Sequence, residues 1–226
     1  MDKYISILLL GFPLFINTCF GNLTIETFVV TKSPTPIKID GKITEKEWQY
    51  GSVQFGSKKY YTNKLTDRQA TFYLARDAKN IYFACQSELP PKGQKLLSRV
   101  RKDSLMVTMD DTVELYVYPP NGKYVYQIIA NGKKAKFTAK YEMLSGAVIR
   151  KPKTYSPKVS IGSSTSNTHW NMEIKLPFDQ MEIPKNIADK PWNIQMVRSW
   201  QNPTATSSFT CSRAYCDPEK NGESVF

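Results

Sequence analysis

The stretch from Asp110 to Asn131, DDTVELYVYPPNGKYVYQIIAN, constrains the fold of this chain more than any other. Two segments of alternating apolar and polar residues flank the sequence PPNG at positions 119–122, a pattern typical of a β-hairpin. With those four residues as the loop, Tyr118 is predicted to lie opposite Lys123. One face of this hairpin is then apolar and is predicted to join the core, with Val113, Leu115, Val117, Tyr124, Tyr126 and Ile128.

The second face of the predicted hairpin is polar. In the same register Glu114 lies opposite Gln127, with Thr112, Tyr116 and Val125 around them. A carboxylate and an amide paired across two strands, beside an aromatic ring, suit a polar ligand. For Glu114 the competing interpretation is an ion pair with a lysine or arginine such as Arg198.

The rest of the chain repeats the same short, alternating segments. Aromatic residues make up 12% of its 226 residues, which indicates a folded core rather than disorder. Short strands separated by turns that contain proline or glycine predict an all-β, antiparallel β-sandwich. Thr44 and Glu47 form a capping-box pattern for a short helix, and 89–102 and 141–155 are predicted to be loops. The predicted strands are 22–32, 69–76, 80–87, the hairpin, 134–139, 158–163, 168–176, 192–200 and 222–226.

The N-terminal sequence MDKYISILLLGFPLFINTCFG is typical of a secretory signal peptide. A lysine precedes an apolar run that is too short for a comfortable membrane span, and no other segment is apolar enough to span one. We therefore predict a signal peptide at residues 1–21, a single domain at 22–226, and a secreted, periplasmic or cell-surface location. A lipid anchor at Cys19 is the alternative, although Asn17 and Thr18 fit a lipobox poorly.

The net charge of +11 indicates either a solvated basic surface or an anionic partner such as an acidic glycan. The lysines are scattered, and no basic helix or RNA-binding aromatic motif is present, so we do not expect a nucleic-acid partner.

Export permits disulfides, and three of the four cysteines follow the predicted signal peptide. Cys211 and Cys216 are close in sequence and could form one, whereas Cys85 lies in an apolar run that predicts a buried thiol. A bridge from Cys85 to either of the other two remains open. The single histidine, His169, and the absence of a CxxC motif argue against a zinc site.

Six motifs, in order along residues 34–226, resemble the family 9 carbohydrate-binding modules and their DOMON-like relatives. They are IKIDGKI at 37–43 with Glu47-Trp48, DAKNIYF at 77–83, DTVEL at 111–115, WNMEIKLP at 170–177, WNIQMVR at 192–198 and DPEKNG at 217–222. The resemblance implies an antiparallel β-sandwich that binds sugars without catalysis. It also implies a structural calcium in some members, for which no ligands can be assigned here.

In sugar-binding members of that family, two tryptophans sandwich a sugar and a Glu, an Arg and a Gln bind its hydroxyls. By motif position the resemblance implies Glu114, Gln195 and, in place of the second tryptophan, Tyr215. Thr108 stands where the first tryptophan is expected, and Ile129 stands where the arginine is expected. The predicted carbohydrate site therefore comprises Glu114, Gln127, Asn131, Gln195, Tyr215 and Trp200. Trp200, Tyr116 and Tyr60 are the candidate replacement platforms, and for Gln195 and Asn131 structural hydrogen bonds are the alternative.

Three other functions are possible for a chain with these residues. Asp110 and Glu114 share a strand face but lie about 13 Å apart at the strand rise, farther than the roughly 5–9.5 Å that separate glycosidase carboxylates. A haem carrier would need His169 with Met106, Met109 or Met172. The third is a protein-interaction or envelope-structural module with the same fold, partnered by an envelope protein.

Overall fold

The computed structural model describes residues 26–59, 64–92, 94–144, 147–148, 151–184, 191–201 and 206–215. For 26–29, 58–59, 144, 147–148 and 206–215 it describes the backbone alone. The predicted signal peptide, Cys19, Tyr60, Cys216 and the predicted strand 222–226 lie outside these residues.

The described chain is built almost entirely of strands. Its single α-helix within the described ranges, α1, spans Glu45–Trp48, and two 3₁₀ turns span Leu105–Met109 and Phe178–Gln180. The strands, numbered in chain order, are β1 Glu26–Val29, β2 Ser52–Gln54, β3 Lys58–Lys59, β4 Ala70–Arg76, β5 Asn80–Glu88, β6 Thr112–Tyr118, β7 Tyr124–Asn131, β8 Lys136–Leu144, β9 Ala147–Val148, β10 Lys153–Thr154, β11 Ser160–Thr165, β12 His169–Pro177, β13 Trp192–Trp200 and β14 Thr206–Tyr215.

The strands form two sheets, which confirms the predicted β-sandwich. The large sheet runs in the order β1-β14-β13-β6-β7-β8-β10, with β3 beside β14 and β9 beside β8. The small sheet runs in the order β11-β12-β5-β4-β2. All pairs are antiparallel except β1 with β14, which is parallel.

The core lies between the two sheets. Because successive strand residues point to opposite faces, alternate residues of β6, β7 and β13 meet alternate residues of β4, β5 and β12. The central members are large and apolar, and they are almost fully buried: Phe72, Leu74, Phe83, Leu115, Ile128, Trp170, Ile174 and Met196. The apolar face predicted for the hairpin is part of this core.

A second, smaller cluster covers the outer side of the small sheet. Ile37 and Trp48, from the segment that contains α1, pack there on Tyr82 and Ala84. Glu173 of β12 fixes this segment, since its Oε2 accepts hydrogen bonds from the backbone amides of Gly41 and Asp40 at 2.6 and 3.0 Å. Its Oε1 accepts a third from Trp48 Nε1 at 3.1 Å.

The hairpin register differs from the predicted one by two residues. Glu114 pairs with Ile129, and Gln127 pairs with Tyr116. The ladder between β6 and β7 begins at the pair Val117–Tyr126, and in the connecting turn the amide of Gly122 donates a hydrogen bond to the carbonyl of Pro119. A shift of two residues leaves each side chain on its predicted face.

Two further elements differ from the sequence predictions. The segment 141–155, predicted to be a loop, contains the end of β8 together with β9 and β10. Strand β14 was not predicted, because its sequence TSSFTCSRAY lacks a regular apolar alternation. It pairs along its length with β13 on one side and with β1 on the other.

Candidate functional site

The outer face of the large sheet, the side turned away from the small sheet, carries a connected set of polar side chains. We call it the outer-face network, and it consists of Thr112, Glu114, Tyr116, Gln127, Tyr141 and Ser199. These residues come from four adjacent strands, β7 and β8 on one side and β6 and β13 on the other. The alternation that sends Val113 and Leu115 inward necessarily sends Glu114 and Tyr116 outward.

Hydrogen bonds join the network into one chain. Tyr141 Oη donates to Gln127 Oε1 at 2.7 Å, and Gln127 Nε2 donates to Tyr116 Oη at 2.6 Å. Tyr116 Oη in turn donates to Glu114 Oε2 at 2.9 Å. Ser199 Oγ donates to the other carboxylate oxygen of Glu114 at 3.0 Å. Glu114 and Gln127 are thus brought together as predicted, but through Tyr116 rather than directly.

Glu114 is a carboxylate without a counter-ion among the described residues. Its donors are hydroxyl groups, and burial raises the pKa of its carboxyl above the usual value in spite of them. An uncompensated carboxylate costs stability, and such groups cluster at functional sites. The alternative of an ion pair with Arg198 is wrong, because Arg198 points to the opposite face of the sheet.

Arg198 instead lies in the core, where it contacts Trp200. Its guanidinium lies in the core between the rings of Trp170 and Trp200, 4.6 and 4.9 Å from their centroids, and pairs with Asp111 at 3.1 Å. Trp200 is only 2% exposed. It therefore presents no ring face to solvent, and the suggestion that it serves as a sugar platform is corrected to a core role.

Asn131 also has a structural position. Its side chain is fully buried, and its Nδ2 donates to the Val100 carbonyl and to Asp110 Oδ2, both at 2.8 Å. Its Oδ1 accepts from the backbone amides of Lys133 and Ala135. Because the Asn131 amide makes its hydrogen bonds to neighbouring loops, it is not available to a ligand. Its predicted place in the sugar site is therefore corrected to a structural role.

Gln195 and Tyr215 occupy different parts of the large sheet. Gln195 pairs with Tyr116 and shares the outer face with the network. Tyr215 ends β14 six residues beyond the level of Val197, the partner of Glu114. At about 3.3 Å per residue this is about 20 Å along the sheet. The Tyr215 side chain lies outside the description, so its sugar contact stays a prediction.

The two positions that depart from the resemblance lie beside the network. Ile129, the cross-strand neighbour of Glu114, is 3% exposed because Val107 of the first 3₁₀ turn packs over it. Thr108 is in the same turn, and its carbonyl accepts a hydrogen bond from Gln201. The apolar contact between Ile129 and Val107 therefore occupies the place where the resemblance implied an arginine, and Thr108 replaces the expected tryptophan.

The carboxylates beside Glu114 are used for structure. Asp110 Oδ2 accepts from the backbone amides of Arg99 and Val100, and Asp111 accepts from those of Leu97 and Gln201. They are buried and close the turn that precedes β6. Neither is disposed to act with Glu114 on a bound sugar.

Metal and haem ligands are not brought together in the described residues. No group of three or more His, Cys, Asp or Glu there could bind a metal ion, so the calcium prediction gains no ligands. His169 starts β12 in the small sheet, whereas Met106 and Met109 lie over the outer side of the large sheet and Met172 is in the core. The haem arrangement is therefore wrong for these side chains.

Cys85 is free and fully buried in β5, as predicted. Cys211 is described by its backbone alone and Cys216 lies outside the described ranges, so a bridge between them stays a prediction.

Comparison with known proteins agrees with this geometry. The profile of one family, "Carbohydrate family 9 binding domain-like", matches residues 39–224, most of the chain. The chain belongs to this family. The resemblance drawn from its motifs is confirmed, and no curated protein matches significantly.

Solved structures show the same family 9 fold. A protein of Bacteroides uniformis with a provisional carbohydrate-binding assignment has a TM-score of 0.63 and 13% identity, covering 84% of this chain and 91% of its own. A family 9 module of Caldicellulosiruptor kristjanssonii in complex with glucose has a TM-score of 0.59 and 11% identity, with coverage of 88% and 100%. The same organism's module with cellotriose has a TM-score of 0.57 and 11% identity, with coverage of 88% and 98%. No helix in the described residues is both long and apolar enough to cross a membrane.

Two residues of the outer-face network, Tyr141 and Ser199, were not predicted from the sequence. Tyr141 was placed in a predicted loop, although its alternation with Ala139 and Met143 indicates a strand. Ser199 continues the outward alternation of Gln195 and Val197 and could have been found from it.

Proposed function

We propose that the protein is an exported, non-catalytic module that binds carbohydrate on the outer face of its large sheet. The observation that carries the proposal is Glu114, a carboxylate with three hydroxyl donors and no cation among the described residues. A carboxylate has about four acceptor sites, so one remains for a sugar hydroxyl. Family membership and the sugar complexes of C. kristjanssonii modules support the same class of ligand.

The aromatic contact in this proposal comes from Tyr118. It is half-buried on the outer face and packs against the apolar cluster of Tyr116, Val125 and Val197, next to the network. Gln195, level with Tyr116 on β13, supplies an amide. A hydrogen bond to a charged group contributes about 1.5–3 kcal/mol and an aromatic contact about 0.5–1.5 kcal/mol. Against the cost of association, we expect micromolar to millimolar dissociation constants.

Non-catalytic binding is supported by the use of Asp110 and Asp111 as acceptors for backbone amides, which leaves Glu114 without a partner carboxylate. Export is supported by the N-terminal apolar run, and its direct test is the N-terminal sequence of the secreted protein. A start near residue 22 is expected, and an intact N-terminus would contradict it.

The binding test is calorimetric titration of the purified protein with neutral oligosaccharides, including cellotriose. Glu114→Gln should weaken binding about tenfold or more, and Tyr118→Ala up to about tenfold. Glu142→Gln, which alters a partly exposed carboxylate paired with lysines, and Tyr50→Ala, which alters an exposed tyrosine, should leave affinity unchanged. Tyr215→Ala tests the family position at the end of β14.

A second candidate, a protein-interaction module, is favoured by one surface feature. Phe55 and Leu65 are 76% and 59% exposed, and the Leu65 side chain lies near Gly56, the residue that follows Phe55. If no oligosaccharide binds at millimolar concentration, the carbohydrate proposal fails and this surface becomes the site to investigate.

A further inference from the structure

We propose that a basic surface beside the outer-face network binds the acidic groups of an anionic polysaccharide. The basic surface consists of Arg99, Arg101, Lys102, Lys133 and Lys134. The inference rests on the proposed function, because it assigns to the same face a ligand that carries both hydroxyls and negative charges.

Two separate segments form the basic surface, and Asn131 joins them. Residues 99–102 precede the first 3₁₀ turn, and Lys133 and Lys134 lie in the connection from β7 to β8. Asn131 Nδ2 donates to the carbonyl of Val100 in the first segment, while its Oδ1 accepts from the amide of Lys133 in the second. A buried side chain therefore holds the two backbone segments that carry the five cations next to each other.

The charge of this surface is largely unbalanced. Arg101, Lys102, Lys133 and Lys134 are exposed and make no ion pair with a described carboxylate. Arg99 has one carboxylate nearby, with Nε 3.7 Å from Oδ1 of the buried Asp110. The adjoining Lys136 differs, because Asp103 neutralises it at 2.6 Å.

Lys134 adds a separate indication. Its backbone has a φ of 64°, in the left-handed region where glycine and asparagine are the usual residues. A lysine there is costly for the backbone and makes no ion pair with a described carboxylate. A lysine at this backbone position agrees with a role in binding an external anion.

The position of the basic surface favours a polysaccharide over other anions. Lys133 lies two residues beyond the end of β7, the strand in which Ile129 is the cross-strand partner of Glu114, so an extended polymer can reach both places. The exposed side chains of Leu105, Met106 and Met109 lie in the turn between them. An anionic lipid surface would also meet basic and apolar residues, and it is therefore one arm of the test.

The experiment uses the whole protein and two acidic polymers as probes, polygalacturonate for carboxylates and dextran sulfate for sulfates. Dextran, cellotriose and vesicles of phosphatidylglycerol or phosphatidylcholine complete the set. The test variant combines Arg101→Gln, Lys102→Gln, Lys133→Gln and Lys134→Asn, the last chosen because asparagine tolerates a positive φ. The matched control removes four exposed lysines on the small-sheet side with Lys32→Gln, Lys42→Gln, Lys46→Gln and Lys79→Gln.

We expect the test variant to lose at least about tenfold in affinity for an acidic polymer at low salt, and the control about twofold or less. If each cation contact contributes about 0.7 to the slope of log affinity against log salt, as for a single-stranded polyanion, the slope should fall by about two or more. Cellotriose binding should be equal in wild type and both variants. The preferred polymer identifies the acidic group.

Three results would overturn the inference: equal losses in the two variants, no binding of either acidic polymer, or binding to phosphatidylglycerol vesicles alone. The cellotriose data show separately whether the proposed function fails. In that case cellotriose does not bind or Glu114→Gln leaves its binding unchanged, while the response of the acidic polymers to the test variant still decides the role of the basic surface.

Discussion

Glu114 and Glu142 are two carboxylates of the same sheet with opposite electrostatic surroundings. Glu114 is surrounded by neutral hydroxyls on the outer face, and burial raises its pKa. Glu142 is hydrogen-bonded to Lys153 at 2.6 Å and lies 3.6 Å from Lys123, and these cations lower its pKa. The same residue type is therefore a source of instability in one place and a surface ion-pair partner in the other.

We predict that the two carboxyls titrate on opposite sides of the usual glutamate value of 4.5. Above that pH the unfolded chain has lost the Glu114 proton while the folded protein retains it, so this group lowers stability as pH rises to its folded pKa. Glu142 contributes stability above pH 4.5 that is lost as pH falls through its folded pKa. Carboxyl carbon NMR assigned with Glu114→Gln and Glu142→Gln measures both midpoints, and coincident titrations near 4.5 would contradict the prediction.

For single residues, the sequence predicted which polar side chains face outward better than it predicted their contacts. The alternation around Glu114 predicted its face and its company with Gln127, because strand periodicity determines both. The alternation did not show that Asn131, which is on the same face, has a structural role rather than a ligand-binding one. That distinction depends on the loop 97–104, whose path over β7 is set by Asp110 and Asp111 and has no periodic signal.

Between elements, two glycines approach each other too closely for a side chain at either position. Gly41 has a φ of 89°, and a Cβ there would lie 2.6 Å from the carbonyl carbon of Ser163. A Cβ at Gly162 of β11 would lie 2.5 Å from the Gly41 nitrogen. This approach allows the backbone amides of Asp40 and Gly41 to reach the carboxylate of Glu173. The DG motif and the glutamate of the W-x-x-E motif are therefore in direct contact.

Gly41→Ala should therefore destabilise the protein much more than Gly56→Ala. Gly56 also has a positive φ, 79°, but its nearest contact to an added Cβ is the Leu65 side chain at 3.6 Å. Both variants bear the conformational cost, of order 1–3 kcal/mol, and Gly41→Ala must in addition displace backbone. Urea unfolding measures the difference, and equal losses would show that the Gly41 contact relaxes without cost.

Elements with strong alternation were predicted and those without it were not. Strands β4, β5, β12 and β13 follow the expected segments to within a few residues because each buries one face in the core. The predicted strand at 158–163 is shifted to Ser160–Thr165, and β14 was missed. Its partners are β13, the preceding strand, and β1, which is distant in sequence, so backbone pairing rather than its own pattern places it.

For the molecule as a whole, the two sheets enclose a core in which Cys85 is a central residue. It is 0% exposed, and burial raises the pKa of its thiol to about 12. A thiol with that pKa is almost entirely protonated near neutrality and is unreactive toward alkylating reagents. Its reactivity therefore reports opening of the sandwich itself.

We predict that Cys85 is alkylated by iodoacetamide only as fast as the protein unfolds globally. Peptide mapping by mass spectrometry separates it from the other cysteines. Labelling should accelerate in urea in parallel with the loss of near-ultraviolet circular dichroism, and Gly41→Ala should accelerate it. Rapid labelling without denaturant would show that the small sheet opens locally at β5.

Strand β14 lies between β13 and β1, and this order has a consequence for biosynthesis. The first strand of the large sheet has no described partner until residues 206–215 have left the ribosome, and until then β13 presents an open edge. Pairings across such long sequence separations form slowly. During synthesis β1 should therefore remain unpaired within this sheet until β14 has been made, and the large sheet should reach its native strand order only after that.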